Sequence, residues 1–184
     1  MEMKSPAVFF DRDGTINPDP GYIRVPEDFT LFEETIPALR LLREHGYLLF
    51  VVTNQSGIGR GYFRHEDLAA VHRRMEELLQ AGGITLDGIR YCPHHPSEDC
   101  GCRKPSPFMI QELARAHGVD LPRSWFVGDT PADVVSGRRA GCRTVRILGE
   151  GEDGREPSEL PSPADIVVRS ILDAARAIVR VDAS

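Results

Sequence analysis

Ala7-Val8-Phe9-Phe10-Asp11-Arg12-Asp13-Gly14-Thr15 is the stretch that decides the fold. Four consecutive apolar residues read as a strand covered on both faces, as at the centre of a parallel sheet. Two carboxylates, Asp11 and Asp13, stand at its exit, and Gly14-Thr15 allow a tight turn away from it. A carboxylate such as Asp11 is ionised near neutral pH, its reference pKa being about 3.9. As a weak nucleophile it needs a metal to position it against an electrophile such as phosphorus. Asp13 can protonate the leaving oxygen and later accept a proton from water. That role asks for surroundings favouring its protonated form, namely a nearby carboxylate and an apolar site. A calcium loop also begins Asp-x-Asp, but it requires glycine at its sixth position and glutamate at its twelfth. Those positions hold Ile16 and Tyr22, which rules it out.

Outward from this stretch, strand and helix signals alternate. Glu33-Glu34-Thr35 before Pro37 marks a helix start, with Thr35 or Ile36 near the cap, and His45-Gly46 its end. Tyr47–Val52 reads as a second buried strand. Asp67–Leu79 carries Leu68, Val71, Met75 and Leu78 at helical spacing. A short strand at Ile89–Tyr91 and a helix from Pro107 to His117 follow. Further strands are expected at Trp125–Val127, Thr144–Leu148 and Asp165–Val168, and an amphipathic helix over Ile171–Val179. Gly149–Pro163 reads as a surface loop. The expectation is a single domain over 1–184: a doubly wound, three-layer parallel α/β sheet of Rossmann-like type, with ligands beyond the strand carboxyl ends. The segments between the motifs hold only core elements, leaving no room for a large cap domain.

Composition narrows the partners. A net charge of -6 with no long basic run argues against nucleic acid. Apolar runs are strand-sized, so no membrane partner is expected. The start, Met1-Glu2-Met3-Lys4, leaves no room for a signal peptide, and a cytoplasmic location and a monomer are the expectations.

Later residues supply further chemistry. Thr53 ends the run Phe50-Val51-Val52 and leads into Asn54-Gln55-Ser56-Gly57. A hydroxyl with exposed N–H groups there can cradle phosphate oxygens, although Thr-Asn is also an ordinary capping pair. Gly57-Ile58-Gly59-Arg60-Gly61 matches no nucleotide fingerprint and reads as a flexible loop near the site. Arg103-Lys104-Pro105 precedes a helix, where Lys104 can neutralise charge on a phosphoryl group or stand as half of a solvated basic pair. Asp129, at the end of Trp125-Phe126-Val127-Gly128, supplies an oxygen ligand suited to Mg²⁺, or caps the next helix. Asp133 orients Lys104 or ligates through water.

Cys92-Pro93-His94 and Cys100-Gly101-Cys102 place three thiols and an imidazole within one loop. Soft sulfur plus imidazole suits a structural Zn²⁺. Free thiols are the alternative, and His95 is a rival ligand. Cys142 is expected in the core. His45 and His117 precede helix-ending glycines, where imidazole suits the dipole. His65 and His72 are expected to face water.

The ordered set Asp11/Asp13, Thr53, Lys104 and Asp129/Asp133 resembles the four motifs of the haloacid dehalogenase superfamily of phosphohydrolases, over Ala7 to about Leu148. An aspartate at the Asp13 position marks that superfamily's phosphatases. The resemblance implies magnesium on Asp11, the Asp13 backbone carbonyl and Asp129. The cysteine loop before Arg103-Lys104-Pro105, with Asp19-Pro20-Gly21-Tyr22-Ile23 and Thr53–Gly61, resembles the heptose 1,7-bisphosphate phosphatases and the related histidinol-phosphate phosphatases. This implies a small phosphorylated sugar as substrate, hydrolysed through a phospho-Asp11 intermediate. Histidinol phosphate or another small phosphomonoester is the alternative. By the same resemblance Arg103 recognises substrate, while Asp19, Gly21, Tyr22, Asn54, Gln55 and Ser56 line the pocket. Thr130 stands where some relatives have lysine.

Overall fold

The computed structural model describes residues 4–149, 152 and 163–183. Strands β1 (Ala7–Phe10), β2 (Leu48–Asn54), β3 (Gly88–Cys92), β4 (Trp125–Gly128), β5 (Arg143–Ile147) and β6 (Ile166–Val168) form one sheet. Its order is β3-β2-β1-β4-β5-β6, and every pairing is parallel. Helices α1 (Thr35–Glu44), α2 (His65–Ala81), α3 (Phe108–His117), α4 (Pro131–Ala140) and α5 (Ile171–Asp182) connect and cover it.

The period of two along each strand explains the three layers. Val8, Phe10, Leu49, Val51, Trp125 and Val127 pack towards α1, α2 and α5. Ala7, Phe9, Phe50, Val52 and Phe126 pack the other way, on α3 and the end of α4. Both faces are covered, so both alternating sets must be apolar. Each valine, leucine or phenylalanine among them contributes roughly 1.5–3 kcal/mol by leaving water.

From β1 the chain works outward to β3 on one side, and from β4 outward to β6 on the other. The order therefore reverses between β1 and β4. A crevice opens there beyond the carboxyl ends of the strands. Asp11 leaves β1 and Asp129 leaves β4 on its two sides. Among the described residues no large cap interrupts this plan, and no helix is long and apolar enough to cross a membrane.

Thr35 opens α1 beside its N-cap Glu34, near the cap as expected, and its buried hydroxyl donates to the Ile16 carbonyl at 2.7 Å. Several other local expectations are corrected. Helix α2 starts two residues early, because the Asp67 carboxylate accepts the Arg64 N–H and closes the first turn. His72 does not face water. It is buried in the stripe of Leu68, Met75 and Leu79, while Leu78 is only half-buried. Gly57–Gly61, expected as a flexible loop near the site, forms a hydrogen-bonded turn, with Gly59 donating to the Pro93 carbonyl at 2.8 Å. A Cβ on Gly59 would come within 2.3 Å of the His95 nitrogen, so glycine is what lets this turn lie against the cysteine loop. The loop expected at Gly149–Pro163 falls mostly on 150, 151 and 153–162, outside the described residues.

Candidate active site

A pocket of about 480 Å³ fills the crevice. Of the residues expected in the site from sequence, the cysteine loop apart, Asp11, Asp13, Asp19, Gly21, Tyr22, Thr53, Asn54, Gln55, Ser56, Arg103, Lys104 and Asp129 lie on its wall, while Asp133 stands buried behind it. Thr130 and Ala132 complete the lining.

Asp11 is fixed through one oxygen. Its Oδ1 accepts from the Arg12 N–H at 2.7 Å and pairs with Lys104 Nζ at 2.8 Å. Among the described residues nothing hydrogen-bonds to Oδ2, which stays available to attack or to ligate. Lys104 is almost wholly buried, its Nζ also reaching Asp133 Oδ1 at 2.7 Å and the Val52 carbonyl at 3.1 Å. Burial opposes its charge, yet Asp11 and Asp133 hold its pKa above the ordinary lysine range. It is therefore no solvated basic pair. Asp133 Oδ2 accepts from the Thr130 hydroxyl and N–H at 2.7 and 3.0 Å. Thr130, not Asp129, thus caps α4, and Asp133 is the acid that orients Lys104.

Asp11, Asp129 and Asp133 present carboxylate oxygens all within 4.8 Å of one another. Burial pushes Asp11 up to about 7 against the pull of Lys104, and the carboxylates of Asp133 and Asp129 add to the rise. Asp129 is likewise pushed up to about 7, first by burial and then by Asp133. One lysine cannot neutralise three crowded acids. Asp133 is already engaged, so Asp11 and Asp129 are the oxygens left for a hard divalent cation, and the donor set fits magnesium. Gly14 makes the approach possible: at φ +79°, a Cβ there would come 2.3 Å from Asp129 Oδ2.

Asp13 is not surrounded by apolar groups and a carboxylate, as its proposed role suggested. Its Oδ1 accepts from Arg12 Nε at 3.0 Å and Asn17 Nδ2 at 2.9 Å. Its Oδ2 accepts from Arg12 Nη2 and Gln55 Nε2, both at 2.9 Å. The strand exit turns Arg12 inward, and a buried guanidinium must have its carboxylate. The Gln55 amide also donates to Thr53 Oγ1 at 3.0 Å, leaving the Thr53 proton free to donate into the pocket. Asn54 accepts from the Lys104 N–H at 3.0 Å and so fixes the lysine's backbone. Arg103 lines the pocket, and its buried Nη1 has no hydrogen-bond partner among the described residues.

Sequence reasoning missed Arg12, Asn17 and His72. His72 Nε2 lies 3.2 Å from Arg12 Nη1. Burial and the Arg12 charge push its pKa down from 6.5 to about 3. The unfolded chain therefore takes up this proton first as pH falls. The stability due to neutral His72 is complete above the unfolded value and is lost on acidification towards the folded one. Between pH 7 and pH 5 the wild type should lose about 2 kcal/mol more stability than His72→Gln. Urea denaturation at both pH values measures this, and equal losses would show that His72 is protonated without cost.

The cysteine loop converges at the end of β3. Cys92 Sγ is 3.5 Å from His94 Nδ1 and 3.6 Å from Cys100 Sγ, and Cys102 Sγ is 3.3 Å from the same nitrogen. All four donors lie within 4.8 Å of one another. Tetrahedral ligands about 2.3 Å from one ion stand a little under 4 Å apart, so the set fits zinc. Burial and the neighbouring Cys102 thiol push Cys92 up to about 12. His95 bonds Ser97 instead, and Cys142 is buried in the core, as expected.

The chain is similar to known proteins over most of its length. The HAD-hydrolase-like family model matches residues 101–174. A D-glycero-beta-D-manno-heptose-1,7-bisphosphate 7-phosphatase from Yersinia pestis is 38% identical over 185 residues, 97% of each chain. One from Haemophilus ducreyi is 39% identical over 178 residues, covering 93% of this chain and 97% of that one. The crystal structure of D,D-heptose 1,7-bisphosphate phosphatase from B. bronchiseptica, complexed with magnesium and phosphate, superimposes with a TM-score of 0.86 at 31% identity. That match covers 96% of this chain and 99% of the other. Identity of this extent, on a parallel sheet with the acids at its switch point, makes the chain an enzyme, a phosphoric monoester hydrolase, and a member of the haloacid-dehalogenase-like family of heptose bisphosphate phosphatases.

Proposed function

We propose that this chain hydrolyses the 7-phosphate of D-glycero-D-manno-heptose 1,7-bisphosphate with magnesium, through a phospho-Asp11 intermediate. The observation that carries the reading is the pocket itself. It brings Asp11, whose second oxygen takes no hydrogen bond among the described residues, together with Lys104, Asp129 and Arg103 on one wall, a set of groups suited to a phosphate. The relatives named above support the sugar and the position cleaved, and their names specify the beta anomer.

Asp11, Asp129 and the Asp13 backbone carbonyl would hold the magnesium, whose charge offsets the crowded acids and polarises the phosphoryl oxygens. Asp11 Oδ2 attacks phosphorus, and the bond from phosphorus to the sugar oxygen breaks. Asp13 enters this step protonated, gives its proton to that oxygen and takes one back from the water that hydrolyses the aspartyl-phosphate; between the two steps the Arg12 fork, Asn17 and Gln55 hold its carboxylate. Thr53 donates its hydroxyl to a phosphoryl oxygen, while Lys104 holds Asp11 in place. Arg103 meets the substrate's anionic groups with its planar fork. Asp19, Gly21, Tyr22 and Ser56 shape the wall around the sugar, and Asn54 and Gln55 serve by fixing Lys104 and Asp13. The cysteine loop would hold a structural zinc on Cys92, His94, Cys100 and Cys102, which would fix the approach to Arg103 and Lys104.

The deciding experiment is phosphate release with Mg²⁺, comparing kcat/KM for both anomers of heptose 1,7-bisphosphate with histidinol phosphate. A large preference for the beta heptose is expected. Equal, slow rates on all three would remove the heptose assignment. Metal analysis should find about one zinc per chain, lost in Cys92→Ser together with much of the stability. A zinc-free, fully active wild type would reject the structural metal.

A further inference from the structure

We infer that His72 is a positioning residue for the reaction, acting through the Arg12 guanidinium on Asp13. The inference rests on Asp13 being the acid and base of the mechanism above.

Arg12 is fully buried, and Nε and Nη2 reach the two Asp13 oxygens as a fork at 3.0 and 2.9 Å. A two-point contact fixes the guanidinium and carboxylate in one plane but lets the pair pivot together about the Arg12 stem. The third edge of the guanidinium removes that freedom, through Nη1 on His72 Nε2 at 3.2 Å. Phe29 closes one face of the guanidinium, its ring centroid 5.9 Å away.

A guanidinium only donates, so His72 Nε2 must be the acceptor. That requires a neutral ring with its proton on Nδ1. The ring is itself held edge-on by Tyr91, centroids 5.9 Å apart, and the Tyr91 hydroxyl is bonded to His65 at 3.0 Å. His72 reaches this place from α2, which contributes none of the pocket residues. The side chain is thus remote from the phosphate yet two hydrogen bonds from the group that moves its protons.

A displacement of about 1 Å at a reacting group can cost about a hundredfold in rate. Loss of the His72 acceptor should therefore appear in kcat rather than in KM, since Arg103 and Thr53 are untouched. His72→Leu keeps roughly the volume and removes the acceptor, leaving Nη1 unsatisfied. In His72→Gln the amide oxygen can accept in place of Nε2. His72→Leu should lower kcat on the sugar phosphate about 10- to 100-fold with KM changed less than about threefold. His72→Gln should recover most of that loss. A merely structural role would lower stability in both variants without this split.

Asp13→Asn runs beside them. If it turns over near the wild-type rate, the acid–base reading fails. If it is inactive while folded His72→Leu keeps kcat within about threefold of wild type, only the inference about His72 is overturned. Equal losses in the Leu and Gln variants overturn it too. Nitrogen-15 NMR of the wild type needs no variant: a protonated Nδ1 and a bare Nε2 at pH 7 are expected, and the opposite tautomer rejects the arrangement.

Discussion

Asp11→Asn should abolish turnover, lowering kcat by at least about a thousandfold, while the protein stays folded. Asparagine keeps the shape and one acceptor oxygen. The bond from the Arg12 N–H and the contact with Lys104, now at 2.7 and 2.8 Å, therefore survive. Only the anionic oxygen that faces the pocket is lost, and an amide does not attack phosphorus. Stability should move the other way. Burial pushes Asp11 up to about 7, so the folded chain holds a proton that the unfolded chain releases from about pH 4. Stability linked to this group is present at low pH and falls as pH rises towards 7. A neutral amide removes that cost, and Lys104 keeps Asp133 as its partner. Without added metal, thermal melting at pH 8 should show a Tm equal to or above that of wild type. Acid quench with labelled substrate should trap phosphate on the wild type and not on the variant. More than a tenth of wild-type activity in a folded variant would remove Asp11 as the nucleophile.

The acids at the strand ends were legible because of how a parallel sheet is built. A strand buried on both faces is an unbroken apolar run, so the first polar residue after it marks the strand end and therefore the ligand crevice. Asp11 and Asp129 are found this way, and Thr53, the first polar residue of the apolar run in β2, comes one residue before that strand ends. The cysteine cluster was legible from chemistry, three thiols and an imidazole within one loop. What failed was the polar interior. Arg12 stands between two acids and looks like a solvated ion pair, and nothing in the one-dimensional pattern says that the turn aims it inward. His72 sits in the polar run His72-Arg73-Arg74, which suggested water. A finer signal was present, since 68, 72, 75 and 79 fall on one helix face with Leu68, Met75 and Leu79. A histidine in phase with a buried stripe needs a partner, and Arg12 is the partner. Thr130 and Asp133, three apart before an apolar residue, likewise spell a capping box that assigns the cap to Thr130.

Lys104→Met is expected to fail twice, in catalysis and in stability, and the two failures have separate signatures. The Lys104 ammonium has three donors, and Asp11, Asp133 and the Val52 carbonyl take all three. In this arrangement it acts on the phosphate through its charge and through the placement of Asp11. Removing a charge of this kind costs about 2.7–4 kcal/mol in the transition state, so kcat should fall roughly 100- to 1000-fold. Removal also leaves Asp11 and Asp133 buried without their cation, a loss of about 3–5 kcal/mol for breaking a buried pair. The two acids can escape this cost only by taking up protons. The Asp11 pKa, already raised by burial, then rises further above the unfolded one, and the stability deficit must grow as pH rises. Denaturant midpoints should thus differ from wild type much more at pH 8 than at pH 5. Asp129, already pushed up by burial and by Asp133, strengthens that trend. Equal midpoints at pH 8, with kcat within about fivefold of wild type, would show that neither acid depends on Lys104. A deficit independent of pH would mean that methionine merely packs badly, and the charge argument would fall while the pocket stood.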